Sequence, residues 1–264
     1  MSAGDVDTML EVRKLTVDFG GIKAVNHLSM AVQPRTIHAL IGPNGAGKST
    51  TFNCISRFYT PTSGSVYYLG QDLMPVKARD MAALGIARTF QNLELFTELS
   101  VLDNVLLGMH RAARQPTGWT HLLRSPGRSD VEQALVLLDR VGLADFHALP
   151  ARHLDFGRQK MLELARAMAV GPKLLLLDEP AAGLRNREID QLDRLLRELV
   201  DRDGVTVLLV EHVMQLVMAI SDTVTVMAFG EKIAEGKPAE VARDERVIQA
   251  YLGAPALGVE RSHA

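Results

Sequence analysis

At 264 residues the chain is long enough for one or two domains and a sizeable buried core. Hydrophobic residues make up 47% and charged residues 23%, ordinary globular usage that excludes disordered and low-complexity character. Lys and Arg number 29 against 31 Asp and Glu, a net charge of −2, so no polyanion-binding surface is signalled and no nucleic-acid partner is expected. The lone cysteine, Cys54, rules out an internal disulfide and suits a reducing compartment. The first ten residues lack a basic stretch followed by an apolar run, so no signal peptide is expected. No apolar run approaches the ~18 residues that cross a bilayer. The expectation is a soluble intracellular chain whose contact with a membrane is peripheral.

Leu10, Val12, Val17 and Phe19, a Gly20-Gly21 turn, then Val25, Leu28, Met30 and Val32 alternate roughly with period two. That pattern predicts a half-buried antiparallel hairpin. Ile37–Ile41 is a short apolar run that feeds straight into a glycine-rich loop, which predicts a buried strand. Residues 53–58 read as helical, 60–64 as a turn and 66–69 as a strand. From about 100 to 141 helical spacing takes over, as in Val131, Leu135, Leu138 and Val141. A long irregular insert is expected at 111–129, which carries Pro116, Gly118, Pro126 and Gly127. Strand-like runs return at 174–177, 205–210 and 223–227, with a helical pattern (Ile189, Leu192, Leu195, Leu196, Leu199) between the first two. Near-continuously apolar strands alternating with helices predict an α/β fold whose mostly parallel sheet is covered on both faces. The expected division is a core at 9–90 and 156–252, a helical insertion at 91–155 and a loose tail at 253–264.

Gly42-Pro43-Asn44-Gly45-Ala46-Gly47-Lys48-Ser49-Thr50 matches G-x-x-x-x-G-K-[ST] and sits between a predicted strand and a predicted helix. Glycines let the backbone wrap closely round an anion, and successive N–H groups with the helix N-terminus supply positive potential. Lys48 is then the side chain to reach the β- and γ-phosphates, and the Ser49 hydroxyl the one to ligate Mg²⁺. Leu174-Leu175-Leu176-Leu177-Asp178-Glu179-Pro180 ends a buried apolar strand in two carboxylates, at the end where open α/β sheets bind ligands. Alone, such a pair reads as a helix N-cap. Beside a phosphate loop it divides labour, with Asp178 holding Mg²⁺ through water and Glu179 polarising the attacking water.

These motifs resemble those of the ATP-binding cassette ATPases, and the resemblance extends over about residues 9–254. It implies a P-loop ATPase core with an N-terminal antiparallel β-subdomain and an inserted helical subdomain, using ATP and Mg²⁺. Gln91, in Arg88-Thr89-Phe90-Gln91, is similar to the glutamine that contacts Mg²⁺ and water and senses the transmembrane partner. Leu154-Asp155-Phe156-Gly157-Arg158-Gln159 stands at the place of the family signature, which completes the opposite subunit's ATP site. Ala181-Ala182-Gly183-Leu184 matches the loop that touches the partner's site, His212 the switch histidine at the γ-phosphate, and Phe19 the aromatic that stacks on adenine, with Val25 beside it.

Arg88–Phe96, the 119–127 stretch, the Asp178–Leu184 segment and the ending Ile248–Gly253 resemble the ATPase subunits of branched-chain amino-acid importers. That implies a second ATPase subunit (a heterodimer, with a homodimer also open), two membrane permease subunits and, indirectly, a substrate-binding protein. It also places the chain peripherally on the cytoplasmic face of the inner membrane. Residues near 91–105 would form the groove for the permeases' coupling helices, against simple core packing of Leu93, Leu95, Phe96 and Leu99. Urea or amide uptake, lipid export and a soluble non-transport ATPase are the alternatives. The signature departs from the pattern: Asp155 replaces the usual Ser, Phe156 a Gly or aromatic, and Arg158 the common Gln, while Arg185 replaces Asn or Asp. An ionised Asp155 can cap a helix but cannot donate to phosphate. The expectation is an asymmetric dimer with one weaker site unless Arg158 offsets the charge.

Overall fold

The alternation in the first thirty residues forms two antiparallel strands, β1 (Leu10–Phe19) and β2 (Ile22–Val32), joined through Gly20 and Gly21. The computed structural model describes residues 8–90, 93–112 and 127–252, with backbone only at 110–112. β4 (Ser63–Tyr68) pairs with β1 and β5 (Gln71–Asp72) with β4, giving an antiparallel sheet of order β2-β1-β4-β5. The second sheet has β3 (Ile37–Ile41), β6 (Ile86–Arg88), β7 (Leu174–Asp178), β8 (Thr206–Val210), β9 (Thr223–Ala228) and β10 (Glu231–Gly236) in the order β10-β9-β3-β8-β7-β6. Its pairings are parallel except at β10, which closes the edge as an antiparallel hairpin with β9.

Strand periodicity divides the interior in two. Ile37, Ala39, Ile41, Leu175, Leu177, Val207 and Leu209 face one apolar cluster, and Leu40, Leu174, Leu176, Leu208 and Val210 face the other. Successive side chains on a strand point to opposite faces, so a strand buried on both faces is near-continuously apolar. The first cluster is completed by α2 (Val101–Ala112), α3 (Arg128–Arg140), α4 (Phe156–Met168), α5 (Asn186–Asp201), α6 (Met214–Ile220), α7 (Pro238–Val241) and α8 (Glu245–Leu252). The second is completed by the antiparallel sheet and α1 (Lys48–Ile55). Gly42 and Lys48, at the end of β3 and the start of α1, therefore lie at the C-terminal edge of the parallel strands, where β7 and β8 also end.

Three sequence expectations are corrected. The helix read at 53–58 is α1, Lys48–Ile55. It starts inside the phosphate loop because the loop's backbone turns directly into helical geometry, and it stops before Arg57, whose φ is +64°. The strand read at 66–69 is β4, Ser63–Tyr68, because Ser63 pairs with Thr16 while Leu69, at φ +49°, has already entered the turn to β5. The insert read at 111–129 is narrower, since Arg111 and Ala112 belong to α2 and Arg128 and Ser129 to α3. Residues 113–126 within it lie outside the described residues.

Candidate functional site

The loop from Gly42 to Thr50 curves over the start of α1, and two of its glycines are demanded by space. A Cβ on Gly42, at φ +150°, would lie 2.1 Å from the Met227 carbonyl oxygen, and one on Gly47, at φ +97°, would lie 2.3 Å from that of Ala24. Gly45 takes φ +78° in open space, and Asn44 beside it is exposed. Ala46 is buried; its N–H bonds the Pro43 carbonyl at 3.2 Å and its own carbonyl accepts from Gly230 at 3.2 Å. Lys48 Nζ donates to the Gly42 and Pro43 carbonyls at 2.8 and 3.0 Å, which sets a cation inside the curve of the loop. Burial lowers the Lys48 pKa, and the charges of Glu179 and Asp178 oppose that shift. Ser49 is exposed and Thr50 half-buried at the mouth of the helix.

β7 delivers Asp178 and Glu179 beside this loop. Asp178 is buried, and its Oδ2 accepts from Arg88 Nη2 at 3.0 Å. Its Oδ1 is buried without a hydrogen-bond partner among the described residues. Burial raises the Asp178 pKa, against the opposing pull of the Arg88 charge. A buried carboxylate oxygen in this state, close enough to the loop for its charge to act on Lys48, suits a divalent cation that would complete its shell with phosphate and water. Among the described residues no cluster of three or more His, Cys, Asp or Glu could hold a metal by protein groups alone.

Glu179 leaves the strand at φ +50°, its N–H bonded to the Val210 carbonyl at 2.9 Å. His212, two residues past β8, places Nε2 2.8 Å from Glu179 Oε1. Glu211 is almost fully buried and accepts from the N–H groups of Ala181 (2.7 Å), His212 (2.8 Å) and Val213 (3.0 Å). One carboxylate thus ties the 181–184 loop to the histidine segment. Lys160, from α4, reaches the Glu179 carbonyl at 3.4 Å.

The 154–158 segment forms the start of α4. Leu154 and Gly157 are buried, while Asp155, Phe156 and Arg158 are exposed. Asp155 caps the helix: Oδ1 accepts from the Arg158 N–H at 2.9 Å and Oδ2 from Arg158 Nη1 at 2.7 Å. The Arg158 guanidinium lies 4.5 Å over the Phe146 ring. Phe156 packs on Gly183, where a Cβ would come within 2.6 Å of its ring. Phe19 is 52% exposed and meets Tyr59 edge to face at 5.8 Å between ring centroids. Val25 is fully buried and approaches Gly47, so it backs the loop from beneath. Gln91 lies outside the described residues.

Sequence reasoning brought Lys48, Asp178, Glu179 and His212 to one edge of the sheet but missed the groups that hold them. Arg88, which engages Asp178, and Glu211, which engages the His212 N–H, carry no local motif, and neither does Glu163, whose Oε1 accepts the N–H of Phe90 two residues past Arg88 at 3.1 Å. The available signal was a charged residue standing within or directly after an apolar run, as Arg88 and Glu211 do.

Residues 25–182 match the model of the family described as ABC transporter, and residues 231–256 that described as branched-chain amino acid ATP-binding cassette transporter. The chain is 41% identical over 251 residues to the high-affinity branched-chain amino acid transport ATP-binding protein LivG of Escherichia coli strain K12, covering 93% of this chain and 98% of that one. A crystal structure of the ADP conformation of an ATP-binding cassette of an ABC transporter superposes with a TM-score of 0.82 at 30% identity, over 94% of this chain and 99% of that one. The dimeric structure of a bacterial ABC transporter cassette gives a TM-score of 0.76 at 25% identity, over 87% and 99%.

Proposed function

The chain belongs to the ABC transporter family of ATP-binding cassette ATPases, and from that premise we propose that it powers uptake of branched-chain or other hydrophobic amino acids. The identity of 41% to LivG across nearly the full length of both chains carries the choice of cargo. On this reading the protein works as one of two cassettes, with a second, related subunit or a second copy, beneath two permease subunits that receive cargo from a binding protein. No helix among the described residues is long and apolar enough to cross a membrane. Its place is the cytoplasmic face of the inner membrane, held by the permeases. A groove of about 690 Å³ with Phe58, Phe90 and Phe96 in its lining, and Glu94 and Arg166 at its sides, is the seat for their coupling helices.

ATP lies with its phosphates in the 42–50 loop and its adenine on the exposed face of Phe19. The N–H groups of the loop and Lys48 neutralise the β- and γ-phosphates, and Lys48 exchanges its two carbonyl partners for phosphate oxygens. Ser49, and Asp178 through water, would hold Mg²⁺, with Gln91 added on family resemblance, and the cation would supply positive charge against the phosphates. Glu179 Oε accepts the proton of the attacking water. His212, hydrogen-bonded to Glu179, orients that carboxylate and contacts the γ-phosphate. The 154–158 segment faces the other subunit's nucleotide. The core at 9–90 and 156–252 thus holds ATP, and the insertion at 91–155 carries the contact with the permeases.

Reconstitution of the chain in proteoliposomes with the permease, second cassette and binding protein of a branched-chain amino-acid importer from its own cell tests the reading. Leucine-loaded binding protein is expected to stimulate ATP hydrolysis and drive leucine inward. Stimulation by urea or short amides and not by leucine would move the cargo to that alternative; failure to associate with any membrane subunit would end the transport reading.

A further inference from the structure

Arg88 is an expensive residue to bury. Its side chain is 9% exposed and its partner Asp178 4%, and its Nε has no hydrogen-bond partner among the described residues. Nη1 donates to Asn53 Oδ1 at 2.9 Å, to Ser56 Oγ and to the Phe52 carbonyl at 3.3 Å. The rings of Phe52, Phe58 and Phe90 stand 5.8, 5.5 and 5.2 Å from the guanidinium carbon. Removing a charge pair from water is costly for both ions, and apolar residues of the same volume commonly stabilise at least as well. Cation–π attraction to the three rings offsets part of that cost, but it does not account for the carboxylate that the guanidinium engages.

The other product of the arrangement is the state of Asp178. The guanidinium occupies Oδ2 and leaves Oδ1 as the buried, unpartnered oxygen. The same planar group is anchored on the C-terminal half of α1, the helix whose first residues are Lys48 and Ser49. We propose that Arg88 is a positioning residue for the Mg²⁺ site, locking Asp178 to α1 with one carboxylate oxygen engaged and the other kept for the cation's shell. This rests on the assignment of Asp178 to Mg²⁺ made above. A fork of fixed donors can serve both faces at once, which a lysine ammonium cannot.

The test is equilibrium binding of a fluorescent ATP analogue to the purified full-length chain, with Mg²⁺ and with EDTA. The ratio of the two affinities reports the metal site without turnover. In Arg88→Gln the ratio is expected to shrink about tenfold, as is usual when an outer-shell partner of a metal ligand is lost, with the EDTA affinity unchanged. Arg88→Lys keeps the charge, guards against loss of the fold, and is expected to lose severalfold. A wild-type ratio in the folded variants, or equal weakening under both conditions, overturns the proposal. If wild-type binding is indifferent to Mg²⁺, or Asp178→Asn retains the wild-type ratio, the Asp178 assignment fails and this inference with it.

Discussion

Nε2 of His212 lies 2.8 Å from Oε1 of Glu179, joining the ends of β8 and β7 across a sequence separation of 33 residues. An ionised carboxylate can only accept, so Nε2 carries the hydrogen of this bond. Glu179 is held in the left-handed region at φ +50°, a conformation that costs on the order of 1–3 kcal/mol for a non-glycine residue. Its N–H bond to Val210 and the Lys160 contact to its carbonyl hold the backbone there. Glu179→Gln keeps the shape and can still hydrogen-bond His212, but it cannot take up a proton. Hydrolysis is expected to fall ~100- to 10,000-fold with ATP affinity within a fewfold of wild type. Phosphate release and nucleotide binding measured on the same preparation decide it; near-normal turnover would remove Glu179 from the base role.

Gly47→Ala sets a methyl group against backbone, since the nearest atom is the Ala24 carbonyl oxygen at 2.3 Å. The φ of +97° adds strain that no alanine relieves. The loop must shift away from β2, and ATP affinity is expected to drop at least tenfold. Gly45→Ala meets nothing within 4 Å, so only its φ of +78° opposes the change and the loss should be smaller. Isothermal titration of the two variants checks the order.

The Asp155–Arg158 pair changes the expectation for the signature. Both carboxylate oxygens are engaged by one residue, so the negative charge is offset within the helix cap itself. An exposed pair of this kind contributes little stability, while the cap contributes about 1 kcal/mol. Asp155→Ser keeps a capping side chain and should therefore change the ATPase rate by less than about twofold. Arg158→Ala leaves the carboxylate uncompensated and should lower the rate more. Steady-state rates of both variants and the double variant in the assembled transporter test this; a large gain from Asp155→Ser would restore the weak-site expectation.

His38 predicts a pH response of stability. It lies wholly inside β3, with Nε2 2.8 Å from Thr225 Oγ1, whose hydroxyl donates to Glu235 Oε2 at 2.8 Å. Burial pulls its pKa from 6.5 down to about 4. The unfolded chain therefore binds the proton more readily, so stability is full above pH ~6.5 and declines as pH falls towards 4. The loss over that window is on the order of 3 kcal/mol for this group. Urea unfolding at pH 7 and pH 4.5 should show a smaller difference in His38→Gln than in wild type. An equal difference would mean that the imidazole is not the titrating group.

Much of the fold was legible because the relevant signals are local. A strand buried on both faces is near-continuously apolar, so 37–41, 174–177 and 223–227 stood out despite the buried His38 and Thr225, and the period-two pattern of 10–32 announced the hairpin. Boundaries were less so: α1 begins inside the glycine loop and β4 at Ser63, because pairing and loop geometry, and not composition, set those ends.

The same division holds at the site. The phosphate loop and Asp178-Glu179 could be read from residue type and neighbouring strands, since anion binding and proton transfer each need a particular chemistry at the end of a strand, whereas His212 was picked out by family resemblance. Which partner each group takes was decided only by tertiary structure. Arg88 meets Asp178 across 90 residues, Glu163 meets Phe90 across 73, and Glu211 meets Ala181 across 30. Such pairings have no period in the chain, because they arise where separate strands and helices end side by side. Asp155 is the exception: Arg158 stands three residues on, within the first turn of α4, so the partner that the sequence offered for its charge is the one it takes.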